Sequence, residues 1–389
     1  MDEKMNIWHK ECAYAYFFET VKGIGARTID RLYKRYGSYE AAYRHGREAG
    51  DILKAGQQED LAHYMRTRNV EEEYIKLLRN KIWCVPKMLA GYPEKLKEIH
   101  LPPSALFVKG KLPDPDKPAA ALIGARDHSP YGEYVAKQLG AAMAEQDIQV
   151  ISGMARGIDS IGQQAALKAG GSSFGILGCG VDICYPEESS SLYRQLSQKG
   201  GKNGLISEQK PGTQPLSGFF PMRNRIISGL SDAVIVLEAR EKSGTFITVM
   251  GALDQGKDVY ALPGRLNDPL SFGCNRLIGQ GAFVVYNIED AVRQILERFY
   301  LTGKTSKQNI AYDGIKGRQP NNKEPGHKKK NGLKEQVLDR LDIQFISLEE
   351  IISGLGREGE VGAVLAALST LECEGKVEAT GTFYRKRME

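Results

Sequence analysis

This chain of 389 residues is short of several features, and each absence removes a class of function. No apolar run approaches the roughly 20 residues of a membrane-spanning helix, and the opening MDEKMNIWHK lacks the basic-then-apolar order of a secretory signal. A cytoplasmic protein with no membrane span is expected. The six cysteines, Cys12, Cys84, Cys179, Cys184, Cys274 and Cys373, form no C-x-x-C pair, so neither a zinc site nor a disulfide frame is indicated. The histidines, His9, His45, His63, His100, His128 and His327, are dispersed, which leaves a candidate nucleophile without a clustered base. No G-x-x-x-x-G-K-[ST] run occurs, which disfavours a P-loop ATPase. A dinucleotide site would want G-x-G-x-x-G after the first strand and an acid ending the second. Here the first turn reads G-A-R and the second strand ends in Ser152 and Gly153. No cofactor and no metal are expected.

What is present is a soluble, globular composition, 41% hydrophobic and 26% charged, in a chain long enough for two or three domains. The net charge of +5 is unevenly spread. Residues 302–334 hold nine Lys or Arg against two acids, so the rest of the chain sums to about −2. Any binding of a polyanion therefore needs either that basic stretch or cations gathered locally by folding.

The chain reads as four parts. Residues 1–90 are mostly helical in pattern, with Gly23, Ile24 and Gly25 between two amphipathic segments. A tight turn of this kind suits a helix-hairpin-helix, whose backbone N–H groups accept a DNA phosphate, and equally a SAM-like interaction domain. Residues 91–300 form the second part, and within 105–300 short apolar strands alternate with helical stretches. The strands expected are 120–124, 148–153, 173–178, 204–208, 233–238, 258–264 and 282–286, and near-continuous apolar strands between helices predict an α/β fold with a parallel sheet covered on both faces. Residues 301–332, rich in Gly, Pro, Asn, Gln and Lys, read as a basic flexible linker. Residues 333–389 read as three helices, with a capping-box spacing at Ser347 and Glu350, followed by a β-hairpin wing, the pattern of a winged-helix domain. The third helix carries no Lys or Arg from Glu358 to Gly375, which favours protein contact or plain structure over base reading.

In a parallel sheet ligands bind beyond the carboxyl ends of the strands. Those ends carry GAR (124–126), SGMARGID (152–159), GCG (178–180) and EAREKSGT (238–245), with PMRNR (221–225) ahead of the strand at 233–238. Glycines admit a ligand close to the backbone, and helix starts attract anions. Arg126, Arg156, Arg223, Arg225 and Lys242 fall on this rim, and several cations on one edge point to a polyanion. Asp159 and Glu238 read either as an acid/base pair or as supporting groups, Asp159 orienting the ARG loop and Glu238 pairing with a rim arginine. In PMRNR the two arginines share a face if the segment is extended and diverge if it is helical, one then facing phosphate and the other bracing the loop. Phe219, Phe220, Tyr185 and Phe246 lie beside the basic motifs, with Phe219 or Tyr185 the expected exposed stacking surface.

The runs ISGMARGIDSIGQQAALKAGG, FGILGCGVDICYP, LISEQKPGTQPLSGFFPMRNRIISGLSDAVIVLEAREKSGTFITVMGALDQGKDVYALPG and SFGCNRLIGQGA, in this order, resemble the DprA/Smf DNA-processing family over about residues 90–290. The resemblance implies a Rossmann-like core flanked by a SAM-like N-terminal and a winged-helix C-terminal domain. It also implies a homodimer that binds single-stranded DNA without sequence preference and loads the RecA recombinase onto it in natural transformation, with no catalysis. The family's DNA pocket maps to Gly124 and Arg126, to Ser152, Gly153, Arg156 and Gly157, to Arg223, Asn224 and Arg225, and to Lys242, Ser243, Gly244 and Thr245. Three positions depart from the family pattern: Ala125 stands for a serine, Gln163 for a histidine, and DICYP lacks a lysine found in some members. The competing reading is a nucleotide-processing enzyme of the lysine-decarboxylase-like (LOG) group, whose PGGxGTxxE signature this chain lacks.

Overall fold

The structure, a computed structural model, describes residues 3–198 and 200–301 and, toward the C-terminus, 337–338, 340–341, 346–347, 351–352, 355, 364, 367–368, 370–372, 374, 376–380 and 383–386. The chain divides into two compact units, Met1–Asn309 and Ile310–Glu389.

Unit one begins with five helices: α1 (Glu3–Thr20), α2 (Ala26–Tyr36), α3 (Tyr39–His45), α4 (Ala55–Thr67) and α5 (Val70–Arg79). The Gly23–Gly25 segment makes the turn between α1 and α2, with Ile24 buried beneath it. A nine-stranded sheet follows: β1 (Ile82–Pro86), β2 (Ala105–Gly110), β3 (Ala119–Ile123), β4 (Gln149–Ser152), β5 (Ser173–Leu177), β6 (Gly204–Ser207), β7 (Ala233–Val236), β8 (Asp258–Ala261) and β9 (Phe283–Val284). Among these strands run α6 (Glu94–Lys97), α7 (Pro130–Glu145), α8 (Ile158–Lys168), α9 (Ser190–Leu196), α10 (Phe219–Leu230), α11 (Thr245–Asp254) and α12 (Phe272–Gly279), and α13 (Ile288–Leu301) closes the unit.

The sheet order is β1-β2-β6-β5-β4-β3-β7-β8-β9, and β2 alone pairs antiparallel on both sides. All seven strands expected from the apolar runs are present, each ending one or more residues earlier than expected and β3 also starting one residue earlier. β1 and β2 were not expected. β1 lies inside the stretch read as helical, and its IWCVP, ending in proline, has no period of its own. It becomes a strand because β2 offers it a partner, from Ile82 opposite Lys109 to Pro86 opposite Ala105.

Alternation along each strand builds two cores. In β3, Ala120 and Leu122 face α7, α8 and α13, beside Val135, Leu139, Ile158 and Ile295. Ala119, Ala121 and Ile123 face the other way, beside Ile226, Leu230, Val249 and Leu277. A sheet buried on both faces needs apolar residues at every position, which is why these strands lack a polar period. A third cluster joins the N-terminal helices to the sheet edge: Phe17, Phe18, Leu32 and Tyr39 share one core with Phe107, Leu177 and Leu205. Tyr16 sets its ring edge-on to Phe107 at 5.9 Å.

In unit two, β10 (Ile346–Ser347), β11 (Val377–Thr380) and β12 (Phe383–Lys386) form an antiparallel sheet of order β10-β12-β11 around a small core containing Val337, Ile351, Val364 and Leu368. The β11–β12 hairpin occupies the stretch read as a wing. Of the basic linker expected at 301–332, Leu301 is the last residue of α13 and the rest lies outside the described residues; of the expected capping box, Ser347 ends strand β10 and Glu350 lies outside the described residues, as does much of the three-helix pattern.

Glu19, in the last turn of α1, is half-buried where the N-terminal helices meet the sheet. Burial pushes its carboxyl up to about 7 from 4.5, a hydrogen bond with Ser104 works against the rise, and the charges of Glu208 and Asp30 add to it. An acid whose folded pKa lies above its unfolded value stabilises the fold in its protonated form. That contribution is fully present below about 4.5 and is lost as pH climbs through about 7. Glu19→Gln is therefore expected to gain in urea midpoint over the parent as pH rises from 4.5 to 7, and to keep that advantage above it. A difference that stays flat with pH would show that Glu19 titrates as an ordinary carboxyl.

Candidate functional site

The strand order places the topological switch between β3 and β7, since crossovers run from β3 toward β6 on one side and from β7 toward β9 on the other. Beyond the carboxyl ends of these strands open two adjoining clefts. The first is lined by Arg126, Gly153, Arg156, Tyr185, Glu188 and Arg223, among others. The second takes in Gly124, Arg126, Asn224, Arg240, Lys242 and the Ser243–Thr245 segment, with Asp159 and Arg223 at its wall.

The loop after β4 is held close to the turn after β3 by glycine. Gly157 has φ +85°, and a Cβ there would lie 2.3 Å from the Ala125 carbonyl oxygen and 2.4 Å from that of Arg126. Gly153 leaves room for a guanidinium: a Cβ on it would come within 2.7 Å of Arg223 Nη2. Arg223, in the second turn of α10 and only 9% exposed, donates through Nη1 to the Gly153 carbonyl at 2.9 Å and to that of Ile176. From the opposite side the Asp159 carboxylate, 6% exposed, accepts the Gly153 N–H at 3.1 Å. Burial lowers the Arg223 guanidinium to about 10, opposed by the Asp159 charge; burial raises the Asp159 carboxyl, opposed by the Arg223 charge. Each ion makes the other's burial tolerable.

The PMRNR segment is helical, so residues two apart point about 200° away from each other around α10. Arg223 goes under the strand ends. Arg225 goes to Glu208, with Nη2 2.6 Å from its carboxylate, and lines a separate groove with Glu98, His100 and Met250. The brace is thus Arg223, held with Asp159 and not with Glu238. Glu238 pairs with no arginine among the described residues: its carboxylate accepts the Ser129 hydroxyl and, at 3.1 Å, the Ser129 N–H. Ser129 in turn caps α7 by accepting the Gly132 N–H. Glu238 therefore fastens the start of α7 and lines neither cleft, so it forms no acid/base pair with Asp159. Ser152 is fully buried, its hydroxyl donating to the Leu122 carbonyl at 2.6 Å, which ties β4 to β3 below the clefts.

Three exposed cations at the rim, Arg126, Arg240 and Lys242, make no hydrogen bond or ion pair among the described residues. Arg156 also faces the first cleft, but it is paired across the mouth with Asp127. Arg240 was overlooked in the sequence although it stands in the same EAREKSGT run as Lys242. Asp127 and Glu188 were overlooked because carboxylates are not sought at an anion site. The start of α11, with Gly244 as its N-terminal flank, adds backbone dipole to the second cleft, and the Ser243 hydroxyl steadies that turn by accepting the Thr245 N–H at 3.2 Å. Of the four candidate aromatics, Tyr185 is 42% exposed and lines both clefts, with Phe220 against it at 5.3 Å between ring centroids. Phe219 is half-buried and lines neither, and Phe246 lies under the Arg276 guanidinium at 4.3 Å.

A glycine-lined rim bearing unpaired cations, a helix start and one exposed ring can hold phosphates and a flat ring together. The family model described as DNA recombination-mediator protein A matches residues 84–296. The DNA processing protein DprA of Bacillus subtilis (strain 168) is 38% identical over 237 residues, covering 59% of this chain and 79% of that protein. Protein Smf of Escherichia coli (strain K12) is 40% identical over 228 residues, 59% of this chain and 60% of that protein. The X-ray structure of DNA processing protein A from Streptococcus pneumoniae superposes with a TM-score of 0.63 at 30% identity, covering 72% of this chain and 97% of that one.

Removing Arg223 and removing Arg126 are expected to differ in kind. Arg223→Ala leaves Asp159 buried without its counter-charge and two carbonyls without a donor, a loss of about 3 kcal/mol in urea unfolding. Arg126→Ala, at an exposed and unpaired position, stays within about 0.5 kcal/mol. Equal losses would mean that Arg223 does not brace the strand ends.

Proposed function

The chain belongs to the DNA recombination-mediator protein A family, and on that premise we propose that it binds single-stranded DNA across the two clefts and hands it to a RecA recombinase. The observation that carries this reading is the set of unpaired rim cations, Arg126, Arg240 and Lys242, around a backbone-lined cleft next to the exposed Tyr185 ring. Phosphates take the cations and the start of α11, while a base released from pairing stacks on Tyr185. Duplex DNA keeps its bases inside and offers Tyr185 nothing to stack on, so single strands are preferred. Glycines and arginines serve this grip without a nucleophile or a base, and the protein acts by binding rather than by catalysis. The same reading places it in the cytoplasm, as a homodimer acting in natural transformation and recombination.

Each phosphate contact to a single strand contributes about −0.7 to the slope of log K against log salt. Three such contacts predict a slope of about −2 or steeper, which fluorescence anisotropy with a labelled 20-mer would measure between low and moderate salt. Arg126→Ala and Lys242→Ala should each flatten the slope by about 0.7 and weaken binding to any sequence. Salt-insensitive binding, or slopes unchanged in both variants, would place the DNA elsewhere. For the hand-over step, the protein should shorten the lag in single-strand-dependent RecA ATPase activity, and the Arg126→Ala variant should do so less.

A further inference from the structure

We propose that Glu188 reads the edge of the base that stacks on Tyr185, favouring guanine, so that a sequence-tolerant phosphate grip carries a bias at one nucleotide. The inference rests on the reading that single-stranded DNA occupies the clefts. Its starting point is a charge of the wrong sign. Glu188 lines the first cleft together with Arg126, Arg156 and Arg223, where a carboxylate works against any phosphate brought in. It is exposed, and it makes no hydrogen bond or ion pair among the described residues. Arg156, on the same cleft, is committed to Asp127 and does not neutralise it. Glu188 is therefore a bare acceptor, and the cleft it lines is also walled by the Tyr185–Phe220 ring pair and the Gly178 backbone.

A ligand group that satisfies this arrangement has a flat face for the ring and N–H donors for the carboxylate. The cleft, about 240 Å³, is smaller than the roughly 300 Å³ at which drug-sized sites begin, which suits one base. Among bases, the Watson–Crick edge of guanine sets N1–H beside an N2–H, two parallel donors that match two carboxylate oxygens. Adenine and cytosine present one amino donor next to an acceptor nitrogen, and thymine presents its single N3–H between two carbonyl oxygens that a carboxylate repels. In a single strand these edges are free to be read, because they are not paired with a second strand. The expected order is guanine first, then adenine and cytosine, with thymine last. A good two-point contact discriminates by about tenfold or more.

The test uses the full chain and four nonanucleotides, TTTTXTTTT with X as G, A, C or T, as competitors against a labelled strand in fluorescence anisotropy. The parent should bind the X = G strand about tenfold more tightly than the X = T strand. In Glu188→Gln, whose amide offers one acceptor and one donor, the ratio between those strands should fall below about threefold. Binding of all four strands within twofold by the parent, or a guanine preference undiminished in Glu188→Gln, overturns the base-reading role while leaving single-strand binding standing. Failure to bind any of the four overturns the single-strand reading and this inference with it. Because Glu188 is exposed, the substitution is not expected to disturb the fold, and an unchanged urea midpoint checks this.

Discussion

The site depends on a buried guanidinium. Arg223 reaches from α10 beneath the ends of β4 and β5 and donates to the Gly153 and Ile176 carbonyls, while Asp159 at the start of α8 takes the Gly153 N–H from the other side. Two strand ends and two helices are fixed by one planar fork and one carboxylate. Neither ion can be buried cheaply alone, and the opposing directions of their pKa shifts record that mutual need. Both carbonyls accept from Nη1, whose two N–H bonds lie fixed in the guanidinium plane, whereas a lysine's ammonium hydrogens rotate about the Cε–Nζ bond. The glycine at 153 follows from the same contact, since any side chain would meet the guanidinium.

With the floor fixed in this way, the cations of the rim divide by what already engages them. Arg223 and Arg225 are structural in the unbound protein, one under the strand ends and the other against Glu208. Arg156 is in between, exposed but paired with Asp127, so a phosphate must compete for it. Arg126, Arg240 and Lys242 carry no such partner among the described residues, and among these their charge is available at no cost in broken contacts. A count of arginines in the motifs overstates the grip. What matters is how many remain unpaired once the chain has folded.

The sheet order gives the clefts their neighbourhood. With β3 beside both β4 and β7, the turn carrying Arg126 borders both clefts, and Tyr185 walls both as well. A strand lying across them meets backbone dipole and unpaired cations on the β7 side and an aromatic ring with a carboxylate on the β5 side. The N-terminal helices share a core with the β1-β2-β6 edge, which links the burial of Glu19 to the same unit that presents the site.

The apolar strands, their parallel arrangement and the strand-end loops of the candidate site were legible in the sequence, because a strand buried on both faces leaves no polar period and its glycines and cations can stand only at its ends. The sequence also carried the family motifs from ISGMARGID to SFGCNRLIG. It could not show β1 and β2, since a short apolar run becomes a strand only when a partner lies beside it. Nor could it separate Arg223 from Arg225, or assign Glu238 to Ser129 over an arginine. Those outcomes depend on which way a helix turns its residues and on which charge the fold brings within hydrogen-bond reach. Charge and motif are local properties of the chain, whereas burial and pairing exist only once distant segments meet, and so it is the fold that sets Arg223 as the brace and leaves Arg126, Arg240 and Lys242 unpaired among the described residues.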